Sequence, residues 1–269
     1  MCELLAICSK KPTTVSLSLE QFANHGSDTN PNRDGWGIVY YSEDDIRRFR
    51  DTGPAAVSDW VKFVEKQELR STLFLAHIRH AKVGAVSLPN THPFSRELGG
   101  SMHTFAHNGY LENISGNSDF TLRRFMPLGD TDSERAFCAL LENLSPVWMA
   151  NSRVPDIADR YRVVASFARQ IRELGPANFV YCDGDTMFVY ADRRHQADGR
   201  VREPGLYLGQ QTCQGGAATI SGGGIEISSP QQQIVMAASV PLTDDGWEPM
   251  QGGSLVAMKD GEITMAVEN

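Results

Sequence analysis

The sequence predicts an α+β protein in which mostly antiparallel strands form the frame and helices cover the sheet faces. Three observations lead there. Apolar runs of strand length recur along the whole chain. Two long stretches, "DSERAFCALLENL" and "IADRYRVVASFARQIRELG", have the spacing of helices with one apolar face. After Gly175 the β-rich runs come in pairs around Asp-Gly dipeptides, the sequence mark of tight hairpins.

Taken in order, "CELLAICS" reads as a short apolar strand. "SLSLEQFANHG" reads as a short helix, with Ser16 or Ser18 as its cap and Gly26 just past its end. "RDGWGIVYY" starts in a turn and becomes a strand, and "IRRFRDTG" is its hairpin partner across "SEDD". In "AAVSDWVKFVEKQ" the residues Val57, Trp60, Val61 and Val64 fall on one helical face. "STLFLAHIRH" and "MHTFAH" are strands, followed by the two strong helices. "ANFVYCDGDTMFVYAD" is a hairpin around Asp183-Gly184; "QQIVMAAS" and "SLVAMKDGEITMAV" repeat the pattern, the latter around Asp260-Gly261. "CQGGAATISGGGIEISS" reads as loop or loosely paired strand, and its glycines lack the Gly-Lys-Ser/Thr ending of a phosphate loop. With no internal repeat and no dividing linker, residues 1–269 are expected to form a single domain.

Charge and cysteine usage narrow the function. A net charge of −8 without a basic cluster argues against nucleic acid and anionic membrane as partners. The apolar runs are far shorter than the roughly 20 residues of a membrane helix. The amino-terminal stretch lacks the basic and apolar regions of a secretory signal. The five cysteines are scattered with no CxxC, so neither a disulfide framework nor a structural zinc site is expected, and a reducing cytoplasm is the expected compartment. His77 and His80 would fall on opposite faces of a strand, which argues against a shared metal.

Six stretches stand out: "MC" at the start, "DGWG" at Asp34–Gly37, "AHIRHAKVG" at Ala76–Gly84, "NTHPF" at Asn90–Phe94, "AHNGYLEN" at Ala106–Asn113 and "GDTDSE" at Gly129–Glu134. Each alone has an ordinary reading. Cysteine packs well in a strand, Asn-Gly is a turn, and an arginine after a strand is a solvated charge. In this order and with these intervals, they resemble the glutaminase domain of the class II glutamine amidotransferases, of the N-terminal nucleophile hydrolase fold. The likeness is good over residues 2–145 and looser beyond, where the later strands would complete the second sheet. With no synthase domain expected, the chain is most similar to the stand-alone, YafJ-like members. The resemblance implies a four-layer αββα sandwich of two antiparallel sheets, face to face with helices outside.

It also implies a chemistry. A free thiol with a pKa of about 8.5 is only a few per cent ionised at neutral pH, whereas an α-amine near 7.7–8.0 is partly neutral and can accept its proton. Removal of Met1 would give Cys2 both nucleophile and base. By resemblance, Asn108 and Gly109 hold the oxyanion, Arg79 grips the substrate carboxylate as a fork, and Asp132 holds the α-ammonium. Asp132 also reads as the cap of the helix that follows. His92 is implied to line the pocket, or only to fix the loop before Pro93. His77 and His107 are expected to hold strand ends together, Cys8, Cys138 and Cys182 to sit in the core, and "DGWG" to turn beside the nucleophile strand. Where several relatives continue with Trp-Ala-Thr-His-Gly, this chain has His80 in place of the tryptophan and Lys82 in place of a hydroxyl residue. Both changes bear on substrate binding, and Lys82 would favour a larger anionic γ-glutamyl compound. The expected activity is hydrolysis of the γ-amide of glutamine through a Cys2 thioester, releasing glutamate and ammonia, without metal or organic cofactor. The expected partners are glutamine or a γ-glutamyl small molecule, and a separate ammonia-accepting synthase. The competing readings are an amidohydrolase of another γ-glutamyl metabolite and a non-catalytic binding subunit that keeps the fold.

Overall fold

The alternation in the first apolar run dictates a strand with two buried faces. Leu4, Ala6 and Cys8 point one way, Leu5 and Ile7 the other, and all five are buried. The computed structural model describes residues 2–17, 34–43, 45–55, 58–81, 84–150, 153–196, 198–214, 219–222 and 224–267. Among them the strands begin with β1 Glu3–Leu17, β2 Trp36–Ser42, β3 Asp45–Asp51, β4 Arg70–Ile78, β5 Phe94–Leu98 and β6 Ser101–Gly109. They continue with β7 Ala177–Cys182, β8 Met187–Tyr190, β9 Arg194–His195, β10 Val201–Arg202, β11 Tyr207–Cys213 and β12 Thr219–Gly222. The last are β13 Ile225–Ser228, β14 Gln232–Ala238, β15 Trp247–Pro249, β16 Leu255–Lys259 and β17 Glu262–Val267. The helices are α1 Asp59–Glu65, α2 Asp132–Met149 and α3 Ile157–Arg172. No helix among the described residues is long and apolar enough to cross a membrane.

The first sheet has the order β15-β11-β14-β1-β4-β2-β3, with the β12–β13 hairpin joined to β1; the second runs β17-β16-β8-β7-β6-β5. The pairing is antiparallel throughout. Three apolar layers result. Leu4, Ala6, Val39 and Leu75 of the first sheet meet Ala106, Val180, Val189 and Val256 of the second in the space between them. Phe105, Phe179 and Tyr181 on the far face of the second sheet pack under Phe137 and Leu141 of α2 and Phe167 of α3. Leu5, Ile7, Ile38 and Phe74 on the far face of the first sheet pack with Val61 and Val64 of α1. This is the αββα sandwich, and the chain's two turn signals stand at its hairpins. At the β16–β17 turn both Asp260 (φ 53°) and Gly261 (φ 77°) adopt the left-handed conformation a two-residue hairpin loop needs.

Several expectations are corrected. β1 runs well past "CELLAICS": a register break between Cys8 and Thr13 divides it, and its second half takes β13 as partner in place of β14. Ser16 therefore belongs to a strand and caps nothing; the rest of the helix expected there lies outside the described residues. Trp60 is 61% exposed and lies off the buried face of α1, which is carried by Val61 and Val64. The strands after Gly175 do not all complete the second sheet, since β14 pairs with β1 in the first and β11 pairs with β14. In the glycine-rich stretch the paired-strand alternative is the one found: its described residues include β12 and β13, which pair with each other.

Candidate active site

Cys2 stands at the head of the central strand of the first sheet, where β1 pairs with the end of β4, Glu3 opposite Ile78 and Leu4 opposite His77. It shares the parity of Leu4 and Ala6, so its thiol faces the second sheet. Sγ accepts a hydrogen bond from the His80 N–H at 3.1 Å. Burial pushes the thiol pKa up, and that N–H opposes the rise. The other four cysteines are buried and free. Burial pushes Cys8 up to about 12 and Cys138 to about 11.

Across the inter-sheet space β6 ends in His107, Asn108 and Gly109, paired with Phe179, Asn178 and Ala177 of β7. The Asn108 side chain reaches back to the first sheet. Its Oδ1 lies 2.8 Å from His77 Nε2, and its Nδ2 donates to Cys2 O at 3.1 Å and to Ser239 Oγ at 3.0 Å. Ser239 Oγ also accepts from Leu4 N at 3.1 Å. One amide thereby ties together the strand bearing Cys2, the end of β14 and the end of β4. At position 109 a Cβ would stand 1.9 Å from the Pro176 carbonyl oxygen, so only glycine lets β6 and the start of β7 approach this closely.

Arg79 follows β4 and is buried. Its backbone N donates to Gly35 O at 2.8 Å, which sets "DGWG" against the end of β4, one strand away from the nucleophile strand and not beside it. Its guanidinium donates to Ala85 O at 3.0 Å and Gly84 O at 3.4 Å. His80 sits beyond the end of β4, its Nδ1 3.7 Å from Asp34 Oδ2. Gly37 is needed for close approach, because a Cβ there would lie 2.1 Å from His92 O.

Asp132 opens α2 but is not its cap. Thr131 is, its hydroxyl accepting from Glu134 N at 3.2 Å. Asp132 Oδ2 accepts from Leu111 N at 2.7 Å, and Oδ1 from Ser133 N at 2.8 Å. His107 Nδ1 meets Ser133 Oγ at 2.9 Å, linking the end of β6 to the helix start. His92 is buried between the His77 and Phe94 rings, with centroids 4.3 Å from each.

Cys2, Arg79, His80, His92, Asn108, Gly109 and Asp132 all line one cavity of about 300 Å³. Every residue singled out by the sequence for the site is brought there except Lys82, which lies outside the described residues. His77 and His107 hold more than strand ends, since one orients Asn108 and the other binds the first turn of α2. The sequence reading missed Ser239, Asn178 and the wall formed by Arg193, Arg194, His195 and Val201 around the β9–β10 hairpin. Among the described residues no three His, Cys, Asp or Glu side chains gather as metal ligands.

The histidines give the site a pH signature. Burial lowers His77 to about 3, pushes His92 well below its usual value, and lowers His103 and His107. Each binds a proton in the unfolded chain near pH 6.5 and not in the folded one, so stability falls as the pH drops below 6.5, and for His77 down to about 3. Glu3, raised to about 7 by burial, acts in the opposite direction between about 4.5 and 7, and Asp192, also raised by burial, acts with it above its usual carboxylate range. The expected net loss approaches about 1.4 kcal/mol per pH unit for each uncompensated histidine. Urea unfolding midpoints measured from pH 7.5 to 4.5 check this; a flat or rising trend on acidification would overturn it.

The sequence profile of the family described as glutamine amidotransferases class-II matches residues 1–269. The chain is 34% identical over 260 residues to YafJ of Escherichia coli strain K12, a protein named for glutamine amidotransferase, covering 94% of this chain and 95% of that one. A Pseudomonas aeruginosa protein solved at 2.0 Å and described as a predicted glutamine amidotransferase superposes with a TM-score of 0.71 at 30% identity, covering 98% and 99% of the two chains. The glutamine phosphoribosylpyrophosphate amidotransferase of Bacillus subtilis shares the fold at a TM-score of 0.61 and 13% identity, over 98% of this chain and 48% of that one.

Proposed function

The chain belongs to the class II glutamine amidotransferases, and on that premise we propose that it hydrolyses the γ-amide of glutamine through a thioester on Cys2, after removal of Met1. The reading rests above all on one observation: the Cys2 thiol and the Asn108–Gly109 segment, carried by different sheets, line the same cavity as Arg79 and Asp132.

In this mechanism the Cys2 α-amine takes the thiol proton and the thiolate attacks the amide carbon. The negative charge passes to the carbonyl oxygen, facing the Asn108 amide and the Gly109 N–H. Both Nδ2 hydrogens of Asn108 already have partners, so one swings from Cys2 O or Ser239 Oγ to the oxyanion. His77 keeps Oδ1 turned away while it does so. As the carbon–nitrogen bond breaks, the Cys2 ammonium returns its proton and ammonia leaves. The amine then takes a proton from water, which attacks the thioester and releases glutamate. Arg79 pairs with the α-carboxylate and Asp132 with the α-ammonium, with His92 and His80 as walls. The ammonia is either released or handed to a separate synthase.

The direct test is the release of glutamate and ammonia from glutamine by the processed chain. Asn108→Ala is expected to lower kcat by about 10²–10³ with a much smaller change in KM. A comparable rise in KM at constant kcat would mean that Asn108 only binds. No release, together with a retained Met1, would favour the non-catalytic binding subunit.

A further inference from the structure

The cavity carries more positive charge than a glutamine head group needs. Arg79 and Asp132 answer to one carboxylate and one ammonium. The wall at β9–β10 adds Arg193, Arg194 and His195, while Asp132 is the sole acidic residue among the described lining residues. In a chain with a net charge of −8 this is a local reversal of sign.

The two arginines of the wall are placed differently. Arg194 is engaged: Nη1 donates to Ser239 O, Nη2 lies 3.8 Å from Glu3 Oε1, and its side chain is 11% exposed. It fastens the hairpin to the nucleophile strand. The Arg193 side chain is 48% exposed, and its ion pair among the described residues is a 3.9 Å approach to Asp192 Oδ2. That carboxylate is already taken by Arg172 at 3.1 Å and by Ala177 N at 3.3 Å. The backbone of Arg193 is nonetheless fixed close to the chemistry. Asn178 Nδ2 donates both to Arg193 O at 3.0 Å and to Asn108 O at 3.1 Å. Cys2 is thus tied to Arg79–His80 through the His80 N–H on its sulfur, and its neighbour Glu3 to the wall through Arg194, which also binds Ser239 O. In a γ-glutamyl amide the leaving nitrogen lies at the opposite end from the head group. With the head on Arg79 and Asp132, the wall is the arginine-bearing part of the lining left to meet a substituent on that nitrogen.

We propose that the site takes γ-glutamyl amides whose leaving amine bears a carboxylate, that is γ-glutamyl-amino acids, and that Arg193 binds this second carboxylate. The inference rests on the thioester reading of Cys2 and names its substrate class. The amide C–N bond breaks as the thioester forms, the amino acid departs with the proton from the Cys2 ammonium, and water releases glutamate, so one water is consumed per bond cleaved.

The test compares kcat/KM of the full processed chain for γ-glutamylglycine and for γ-glutamylmethylamide, which share the scissile bond and differ in the carboxylate. A preference of about tenfold or more for γ-glutamylglycine is expected, the factor that one charge-assisted hydrogen bond to a half-exposed guanidinium supplies. In Arg193→Gln this ratio should fall toward one, and Arg193→Lys should restore part of it. A ratio near one in the natural chain, or an unchanged ratio in Arg193→Gln, overturns the proposal. Calorimetric binding of γ-glutamylglycine to Cys2→Ala protein, with and without Arg193→Gln, separates the two readings. If no amide is turned over but Arg193→Gln weakens binding about tenfold, the thioester reading has failed and the carboxylate subsite stands; equal binding overturns the subsite.

Discussion

Cys2→Ala is expected to lower the rate of glutamate release from glutamine by about 10⁴-fold or more while leaving the fold intact. The size of the effect follows from the lack of a substitute. Cys8 and Cys182 are buried between the sheets, Cys138 is buried on the inner face of α2, and Cys213 is buried on the far face of the first sheet. Burial pushes each of these thiols up, and none of them lines the cavity. Cys2 is half-buried, faces the cavity, and has a backbone N–H aimed at its sulfur. Treatment with a glutamine-like electrophile such as diazo-oxo-norleucine should therefore add the mass of one reagent molecule less its expelled dinitrogen to the natural chain and nothing to Cys2→Ala. The same intact-mass measurement reports whether Met1 is gone. Retained activity in Cys2→Ala, or labelling at another cysteine with equal speed, would overturn the thioester mechanism.

Arg160→Ala is expected to destabilise the protein by about 3–5 kcal/mol, without touching the cavity residues. Arg160 projects from α3 into the four-residue turn joining β7 and β8. Its Nη1 binds Asp183 Oδ2 at 2.6 Å and its Nη2 binds Asp185 Oδ2 at 2.8 Å. Arg160 and Asp183 are both buried, and Lys259 of β16 closes on Asp185 at 2.7 Å. The substitution leaves the Asp183 carboxylate buried without its cation, and that uncompensated charge is the source of the cost. The pair itself need not be strongly stabilising. Asp183→Asn in the same chain should accordingly return part of the loss. Urea unfolding midpoints of the two single variants and the double variant check this; additive losses would show that Asp183 does not need Arg160.

How much of this was legible in the sequence depends on the range of the signal. Hairpins are short-range objects, and the Asp-Gly pairs at 183–184 and 260–261 mark them because the turn conformation is chosen by the turn residues themselves. The long helices are marked by their period. β5, β9, β10, β11 and β15 passed unread, since short strands such as "FSREL" owe their conformation to the neighbour they pair with. Trp60 shows the limit of a periodic reading in a helix of two turns, where one apolar residue can point to solvent without breaking the pattern.

The site divides in the same way. Cys2, Arg79, His92, Asn108, Gly109 and Asp132 were found because a family resemblance supplied their order along the chain. Thr131 took the capping place read for Asp132, a one-residue shift that leaves both Asp132 oxygens accepting backbone N–H groups. Ser239 had no such marker: a serine after a β-strand is commonplace until Asn108 and Leu4 are seen to converge on its hydroxyl. Arg193 and Arg194 likewise carry no marker in the sequence, and only the hairpin brings them to the cavity.

The Asn108 amide, held at once by Cys2, Ser239 and His77, has a consequence for biosynthesis. Cys2 leaves the ribosome among the first residues, while Ser239 follows near the other end. Until β14 has been made, the Ser239 hydroxyl that helps hold the Asn108 amide is missing and β1 lacks the neighbour that pairs beside Cys2. On the proposed thioester mechanism, translation order would therefore set the site in place only once the late strand has joined the sheet.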